Sequence, residues 1–179
     1  MDEVRTERLL LRRFRPEDAA ALAAVNADPR VVLHIGYGEP IERPESDAML
    51  ARMMEQWDEH GFGPWAAEVG DMGVVGFIGL SIPTFLPAVL PAVEVGWRLR
   101  SDVWGRGLAT EGGRAALRHG FADLGLDSVI SLIAPANIAS VRVAEKLGMQ
   151  HERDERHPRY GGIVRVYRIR RPVDTMATP

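Results

Sequence analysis

A glycine-rich stretch is the part of this 179-residue chain best suited to bind an anion. It reads WGRGLATEGG, from Trp104 to Gly113. Gly105 and Gly107 permit a tight turn and a close approach of the backbone to a ligand. Amides in the first turn of a following helix have no helical partner and attract anions. The stretch therefore predicts a diphosphate site, although it matches neither the dinucleotide pattern GxGxxG, because Thr110 replaces the last glycine, nor the Walker pattern.

A second stretch, Pro135 to Met149, places an amide and a hydroxyl side chain at the start of a predicted helix. Asn137 is a good N-cap residue, which is its structural interpretation. Ser140 follows three residues later and projects from the same side of the first helical turn. Both side chains therefore have a second interpretation, in which they face a ligand at the end of the sheet.

A third stretch, VEVGWRL at 93–99, carries a single carboxylate in an apolar strand. Strand alternation places Glu94, Gly96 and Arg98 on one face and the apolar side chains on the other. Burying a lone carboxylate is costly, so Glu94 is expected to be solvated, paired with Arg98, or functional. Glu68 in the neighbouring stretch WAAEV is a weaker candidate, because a solvated strand face explains it more simply.

Hydrophobic spacing and the positions of glycine and proline predict the helices and strands that position these stretches. An alanine-rich helix follows Pro16, and a helix from Pro44 to His60 buries Met49, Leu50, Met53, Met54 and Trp57 at helical spacing. Two later helices are predicted at 107–124 and 137–147. The predicted strands are 9–14, 64–69, 74–81, 92–99, 128–134, 151–156 and 163–170, with an antiparallel meander over the second to fourth.

Composition narrows the class of protein. The formal net charge of −3 argues against a nucleic-acid binder, and the lack of cysteine excludes thiol chemistry and fits a cytoplasmic location. The uncharged run 72–93 contains three prolines, so it is not expected to cross a membrane. The five histidines lack metal-ligand spacing, so no metal is predicted and His157 is expected to be structural. We predict one domain over 1–172 and a frayed tail over 173–179.

The order of these segments resembles the GCN5-related N-acetyltransferase (GNAT) superfamily, within it the branch of the ribosomal-protein alanine acetyltransferases. The resemblance rests on TERLLLRRF, HGFGPWAAEV, VVGFIGL, VEVGWRL, WGRGLATEGG, NIASVRVAEKLGM, the pair His157-Pro158 and VYRIR, in that order along almost the whole chain. It implies a single-domain α/β (α+β) fold with a mixed, mostly antiparallel sheet. The fourth and fifth predicted strands, 92–99 and 128–134, would splay apart to admit the pantetheine arm of acetyl-CoA.

The resemblance also implies a set of cofactor-binding residues. Backbone groups of Trp97, Arg98 and Leu99 would pair with pantetheine, and Asn137 and Ser140 would face the thioester. The diphosphate would lie on the amides of Gly105, Arg106, Gly107, Leu108, Ala109 and Thr110. Trp104 replaces a polar residue that contacts phosphate in many relatives, and Glu111 is expected to be an exposed helix charge.

The implied reaction is acetyl transfer to a primary amine of a small molecule or of a protein N-terminus. Glu94 would be the general base, and a strand amide near Trp97 would stabilise the developing oxyanion. Because Ala144 replaces the tyrosine that many relatives use to protonate the thiolate, Ser140 or a water would take that role. The alternative is a non-catalytic CoA-binding module of the same fold. A homodimer is compatible with either function, and neither calls for a nucleic acid or membrane partner.

Overall fold

The computed structural model describes residues 2–172, which form one eight-stranded sheet with helices on both faces. The strand order is β1-β2-β3-β4-β5-β6-β8-β7, and every neighbouring pair is antiparallel except β5 and β6. The strands are β1 (Glu3–Arg5), β2 (Leu10–Arg12), β3 (Pro64–Glu68), β4 (Val74–Ser81), β5 (Glu94–Leu99), β6 (Ser128–Ile133), β7 (Gln150–Arg156) and β8 (Ile163–Arg170). The helices are α1 (Ala19–Ala27), α2 (Pro29–Val32), α3 (Arg43–His60), α4 (Leu108–Arg118) and α5 (Ile138–Lys146).

The fold class predicted from the sequence is confirmed, with differences at the level of elements. The sequence did not predict β1 or α2, and the extra strand makes β5 and β6 the predicted fourth and fifth strands. The helix predicted to reach residue 124 is α-helical only as far as Arg118, and a π-helical turn, His119–Asp123, follows it directly. The predicted frayed tail, 173–179, lies outside the described residues.

The sheet has a core on each face. The larger core packs α4 and α5 against the sheet, around Trp65, Ile78 and Val95. The smaller core packs α1 and α3 against the opposite face and contains Leu50 and Met53, as the helical spacing predicted. Close contact between α4 and the sheet requires glycine, because a Cβ atom at position 112 would lie 2.4 Å from Ile78 Cδ1.

The sheet opens between β5 and β6. These parallel strands share a single paired position, Glu94 with Ile130, and the Ile130 N–H donates to the Val93 carbonyl at 2.9 Å. All other neighbouring strands pair over at least three positions. Beyond Glu94 the two strands therefore separate and leave one edge of β5 without a neighbouring strand.

No helix within residues 2–172 combines the length and the apolar character needed to cross a membrane.

Candidate active site

The glycine-rich turn leads directly into α4. Gly105 and Gly107 have φ values of +74° and +80°, in the left-handed region that favours glycine. A Cβ atom at position 105 would meet nothing within 4 Å, so the turn is open on that side. No side chain caps α4, and the Glu111 N–H is the first to donate within the helix, to Gly107 O at 3.0 Å. The amides of Leu108, Ala109 and Thr110 thus have no helical acceptor and fit an anion such as diphosphate.

Glu111 differs from its prediction as an exposed helix charge. Its side chain is only 15% exposed and accepts hydrogen bonds from Thr6 Oγ1 at 2.6 Å and from Arg8 N at 2.8 Å. Burial acts to raise the pKa of Glu111, but the hydrogen bonds from Thr6 and Arg8 outweigh it and lower that pKa. The sequence gives no sign of this contact, because more than a hundred residues separate Glu111 from its partners.

Arg8 is a cation beside the glycine turn that sequence analysis missed. Its Nη1 donates to the Arg106 carbonyl at 2.7 Å, and a Cβ atom at position 107 would lie 3.5 Å from its Nη2. Trp104 turns away from this role, since its indole N–H donates to the Leu99 carbonyl at 2.8 Å. Arg8 also pairs with Glu111, with Nη2 2.6 Å from Oε2, so the loop between β1 and β2 places an ion pair beside the predicted diphosphate position.

The open edge of β5 presents the main chain of alternate residues. The Arg100 N–H donates to Val75 O of the β4 side, and the Val93 carbonyl faces β6. Because antiparallel pairing alternates, the backbone groups of Trp97 and Leu99 face the gap and those of Arg98 face β4. The Leu99 carbonyl already accepts the indole N–H of Trp104. Trp97 is therefore the residue that can offer both its N–H and its carbonyl to a ligand in the gap.

Trp97, Ser140 and Asn137 meet at the start of α5. The Trp97 indole N–H donates to Ser140 Oγ at 3.2 Å, while Asn137 Oδ1 accepts the Ser140 N–H at 3.1 Å. The N-cap interpretation of Asn137 is therefore correct. The Ser140 hydroxyl bonds to Trp97 rather than to its own helical turn, and its proton stays available for a further acceptor.

Glu94 lies where β5 and β6 separate. Its carboxylate accepts the Leu132 N–H at 3.3 Å, a group that a regular parallel ladder would pair with the β5 backbone. Burial raises the pKa of Glu94 to about 7, against a smaller opposing effect of the Leu132 hydrogen bond. Glu94 is therefore suited to accept a proton near neutral pH.

The structure tests the non-catalytic interpretations of Glu94 and Glu68. The predicted pairing of Glu94 with Arg98 does not occur: the Arg98 guanidinium donates instead to Asn26 Oδ1 at 2.6 Å. Glu68 accepts a hydrogen bond from Arg12 Nε at 2.6 Å, so an ion pair, rather than solvation, explains it.

Four aromatic rings from three loops pack against one another. His157 lies 3.6 Å from Tyr160 and 5.6 Å from Phe85 between ring centroids, both at interplanar angles of 14°, and Tyr37 meets Tyr160 edge-on at 5.1 Å. We call these four residues the aromatic stack. His157 is 4% exposed, and its Nδ1 accepts the Arg159 N–H at 3.2 Å. The sequence predicted a structural His157 but not these neighbours.

Within residues 2–172 no three histidine, aspartate or glutamate side chains lie close enough together to hold a metal ion.

Comparison with known proteins identifies the family and the fold. Residues 8–150 match the family model of the acetyltransferase (GNAT) domain. The chain belongs to the GNAT family of acetyltransferases. Its sheet, parallel β5–β6 pair and flanking helices are those of the family, so the resemblance seen in the sequence is confirmed.

Individual GNAT proteins support the assignment. An acetyltransferase from Agrobacterium tumefaciens has 28% identity and a TM-score of 0.81, with 96% of this chain and 95% of that chain covered. The FsC-acetyl coenzyme A-N(2)-transacetylase of Aspergillus fumigatus is 28% identical over 131 residues, which are 71% of this chain and 56% of that protein. The ribosomal-protein-S5-alanine acetyltransferase of Vibrio fischeri shares the fold, with a TM-score of 0.73, 16% identity and 99% of each chain covered.

Proposed function

We propose that this GNAT acetyltransferase moves the acetyl group of acetyl-CoA to a primary amine within a ternary complex. The observation that carries the proposal is the separation of β5 from β6 at Glu94, with a carboxylate of raised pKa at the point where the strands part. The similarity to an acetyl coenzyme A-dependent transacetylase supports the choice of co-substrate.

The residues present fit acetyl-CoA along its length. The turn from Gly105 to Thr110 would hold the diphosphate on free amides, and the Arg8–Glu111 ion pair braces the turn through the Arg106 carbonyl. The main chain of Trp97 would pair with pantetheine in the gap, and Leu99 would contribute its N–H alone. Acetyl-CoA supplies the activated acetyl thioester; the protein supplies position, hydrogen bonds and a base.

Proton transfer falls to two side chains. A free alkylamine is almost fully protonated near neutral pH, so the attacking nitrogen must lose a proton before it forms the amide bond. Glu94 accepts that proton, directly or through a water. The carbon–sulfur bond breaks as the amide forms, and the Ser140 hydroxyl can donate to the departing sulfur while its oxygen accepts from Trp97. The main-chain N–H of Trp97 can stabilise negative charge on the thioester oxygen.

The acceptor is a small-molecule amine or a protein N-terminal amine. An assay of thiol release from acetyl-CoA with panels of both acceptor types tests the proposal, and calorimetry measures CoA affinity in the same preparation. We expect CoA to bind and at least one panel to release thiol. Binding of CoA without thiol release for any acceptor would instead identify a non-catalytic CoA-binding module.

A further inference from the structure

An open groove runs along the face of β5 that carries Glu94. Alternation places Glu94, Gly96 and Arg98 on this face. Glu94 and Arg98 are four residue steps apart, which is about 13 Å along the strand at ~3.3 Å per step. A Cβ atom at position 96 would meet nothing within 4 Å among the described residues, so no group packs directly against the middle of this strand face. The floor of the groove is therefore a glycine between a carboxylate and a guanidinium.

The Arg98 guanidinium lacks a matching charge. It lies over the Phe77 ring at 5.4 Å, and Nη1 donates to Asn26 Oδ1 at 2.6 Å and approaches Met49 Sδ at 3.8 Å. Among the described residues these are its only hydrogen-bond acceptors, and its buried Nε has none. Burial lowers the pKa of Arg98 to about 10. Arg98 is half-buried. A cation partly removed from water without a carboxylate is costly, and an anion from outside the chain would offset that cost.

The aromatic stack lies beside the Arg98 end of the groove. The loop that carries Tyr37 is joined to Asn26, the partner of Arg98, because the Asn26 carbonyl accepts the Ile41 N–H at 3.0 Å. Tyr160 is near enough to Arg98 for the two groups to interact electrostatically. His157, stacked on Tyr160, has a buried Nε2 with no partner in the described part of the chain. Because its Nδ1 accepts a backbone N–H and burial lowers its pKa, His157 is neutral near pH 7 with the proton on Nε2. The aromatic stack thus offers flat apolar surface and the unused N–H donor of His157 near the Arg98 guanidinium.

We infer that the acceptor is a primary amine that carries a carboxylate: Arg98 binds the carboxylate, the carbon chain lies over Gly96 beside the aromatic stack, and the amine reaches Glu94. This inference rests on the proposed acetyl transfer and narrows its substrate class. Arg98 acts here as a specificity residue through its side chain, while its backbone stays with β4.

Matched acceptors test the inference. Thiol release is measured for ω-amino acids of increasing length and for the corresponding ω-amino amides, which keep the amine and the length but lack the charge. We expect kcat/KM to favour the acid by about tenfold or more at one or more lengths, as for a hydrogen bond to a charged group. Amidated peptides with an N-terminal Asp or Glu form a second arm, which separates acidic peptides from free amino acids as the source of the carboxylate.

Three variants test whether the groove causes the preference for acids over amides. Arg98→Met removes the charge at similar length, and we expect the acid-to-amide ratio to fall to about one. Gly96→Val adds a side chain in open space without a left-handed φ, so the protein should fold, bind CoA and show a raised KM for the acids. Arg43→Met is the control, because Arg43 is an exposed partner of Asp47 on α3, and it should keep the wild-type ratio.

The outcomes separate the inference from the proposed function. Equal kcat/KM for acids and amides, an unchanged ratio in Arg98→Met, an unchanged KM in Gly96→Val, or a ratio lost in the Arg43→Met control would each overturn the carboxylate site while leaving acetyl transfer intact. Absence of thiol release with every acceptor would overturn the acetyl transfer itself, and this inference with it.

Discussion

Glu94 combines the position and the proton affinity of a general base. A carboxylate accepts a proton only when it is ionised, and its pKa of about 7 makes the ionised fraction fall as the pH drops through neutrality. The wild-type rate should therefore rise with pH through about 7. Arg98, the other charged group on this strand face, is directed to Asn26 rather than to Glu94.

Replacing Glu94 with Gln should lower kcat about 10²- to 10⁴-fold and remove the rise in rate near neutral pH. The remaining pH dependence should be that of the acceptor amine. Steady-state kinetics over a pH series measures both effects, with CoA affinity determined by calorimetry. Glu68→Gln is the matched control, because Glu68 lies on β3, which β4 separates from β5, and pairs with Arg12. An unchanged pH profile in Glu94→Gln would leave Glu94 with a structural role only.

Ser140 is held by Trp97 in an orientation that leaves its proton free. Replacement of Ser140 by Ala should lower kcat with little change in acetyl-CoA affinity, because the hydroxyl is needed only when the thiolate leaves. The Asn137 cap accepts a backbone N–H of residue 140, so the variant keeps it and α5 should remain intact. Thermal unfolding measured beside the kinetics separates the two roles: a lower Tm with wild-type kcat would make water the proton source.

At the scale of single residues, strand alternation was enough to place Glu94 and Arg98 on one face and Trp97 on the other. Alternation is a local property of the strand, so seven letters of sequence define it. The partners of these side chains are not local: Arg98 meets Asn26, and Glu111 meets Thr6 and Arg8. No spacing in the sequence encodes such contacts, which is why Glu111 was expected to be exposed.

At the scale of elements, the turn and the start of α4 form the proposed anion site. Gly107 has a φ of +80°, which a β-branched residue adopts only with strain, and its Cβ position lies 3.5 Å from Arg8 Nη2. Glycine placement in the sequence predicted this turn correctly, because few residues other than glycine adopt such a conformation.

Gly107→Val should weaken CoA binding by at least about tenfold, because the side chain obstructs the amides and strains the turn. Gly125 also has a positive φ, +67°, with open space around its Cβ position, and lies outside the site. Gly125→Val therefore controls for backbone strain and should keep wild-type affinity. Calorimetry with CoA on folded samples measures both variants, and wild-type affinity in Gly107→Val would show that the diphosphate binds elsewhere.

At the scale of the whole molecule, the site is assembled from segments far apart in sequence. The aromatic stack draws on Tyr37, Phe85, His157 and Tyr160, from loops that share no local pattern. Contacts between loops far apart in sequence bring these rings together, and neither the family resemblance nor hydrophobic periodicity predicted those contacts. The sequence therefore predicted the glycine turn and the N-cap of α5 correctly, but not the contacts of the aromatic stack.

A buried ionic network joins three elements of the molecule and should govern its acid stability. Asp18 is 7% exposed and accepts hydrogen bonds from Arg12 Nη1 at 2.8 Å, from Nη2 at 2.9 Å and from Arg15 N at 2.8 Å. Burial acts to raise the pKa of Asp18, but the hydrogen bonds from Arg12 and Arg15 lower it below its unfolded value. The folded-state pKa is the lower one, so the stabilisation is complete above the unfolded pKa of about 4 and is lost as the pH falls through the folded value. Asp18→Ala leaves Arg12 buried with Glu68 alone and should reduce the free energy of unfolding by about 3–5 kcal/mol at neutral pH.

Urea unfolding at neutral and acidic pH measures this loss, which should shrink in acid. Asp47→Ala, which removes an exposed partner of Arg43, is the control and should reduce the free energy of unfolding by at most about 1 kcal/mol. An Asp18→Ala loss that is equal at both pH values would show that Asp18 stabilises the fold by packing and not by its charge.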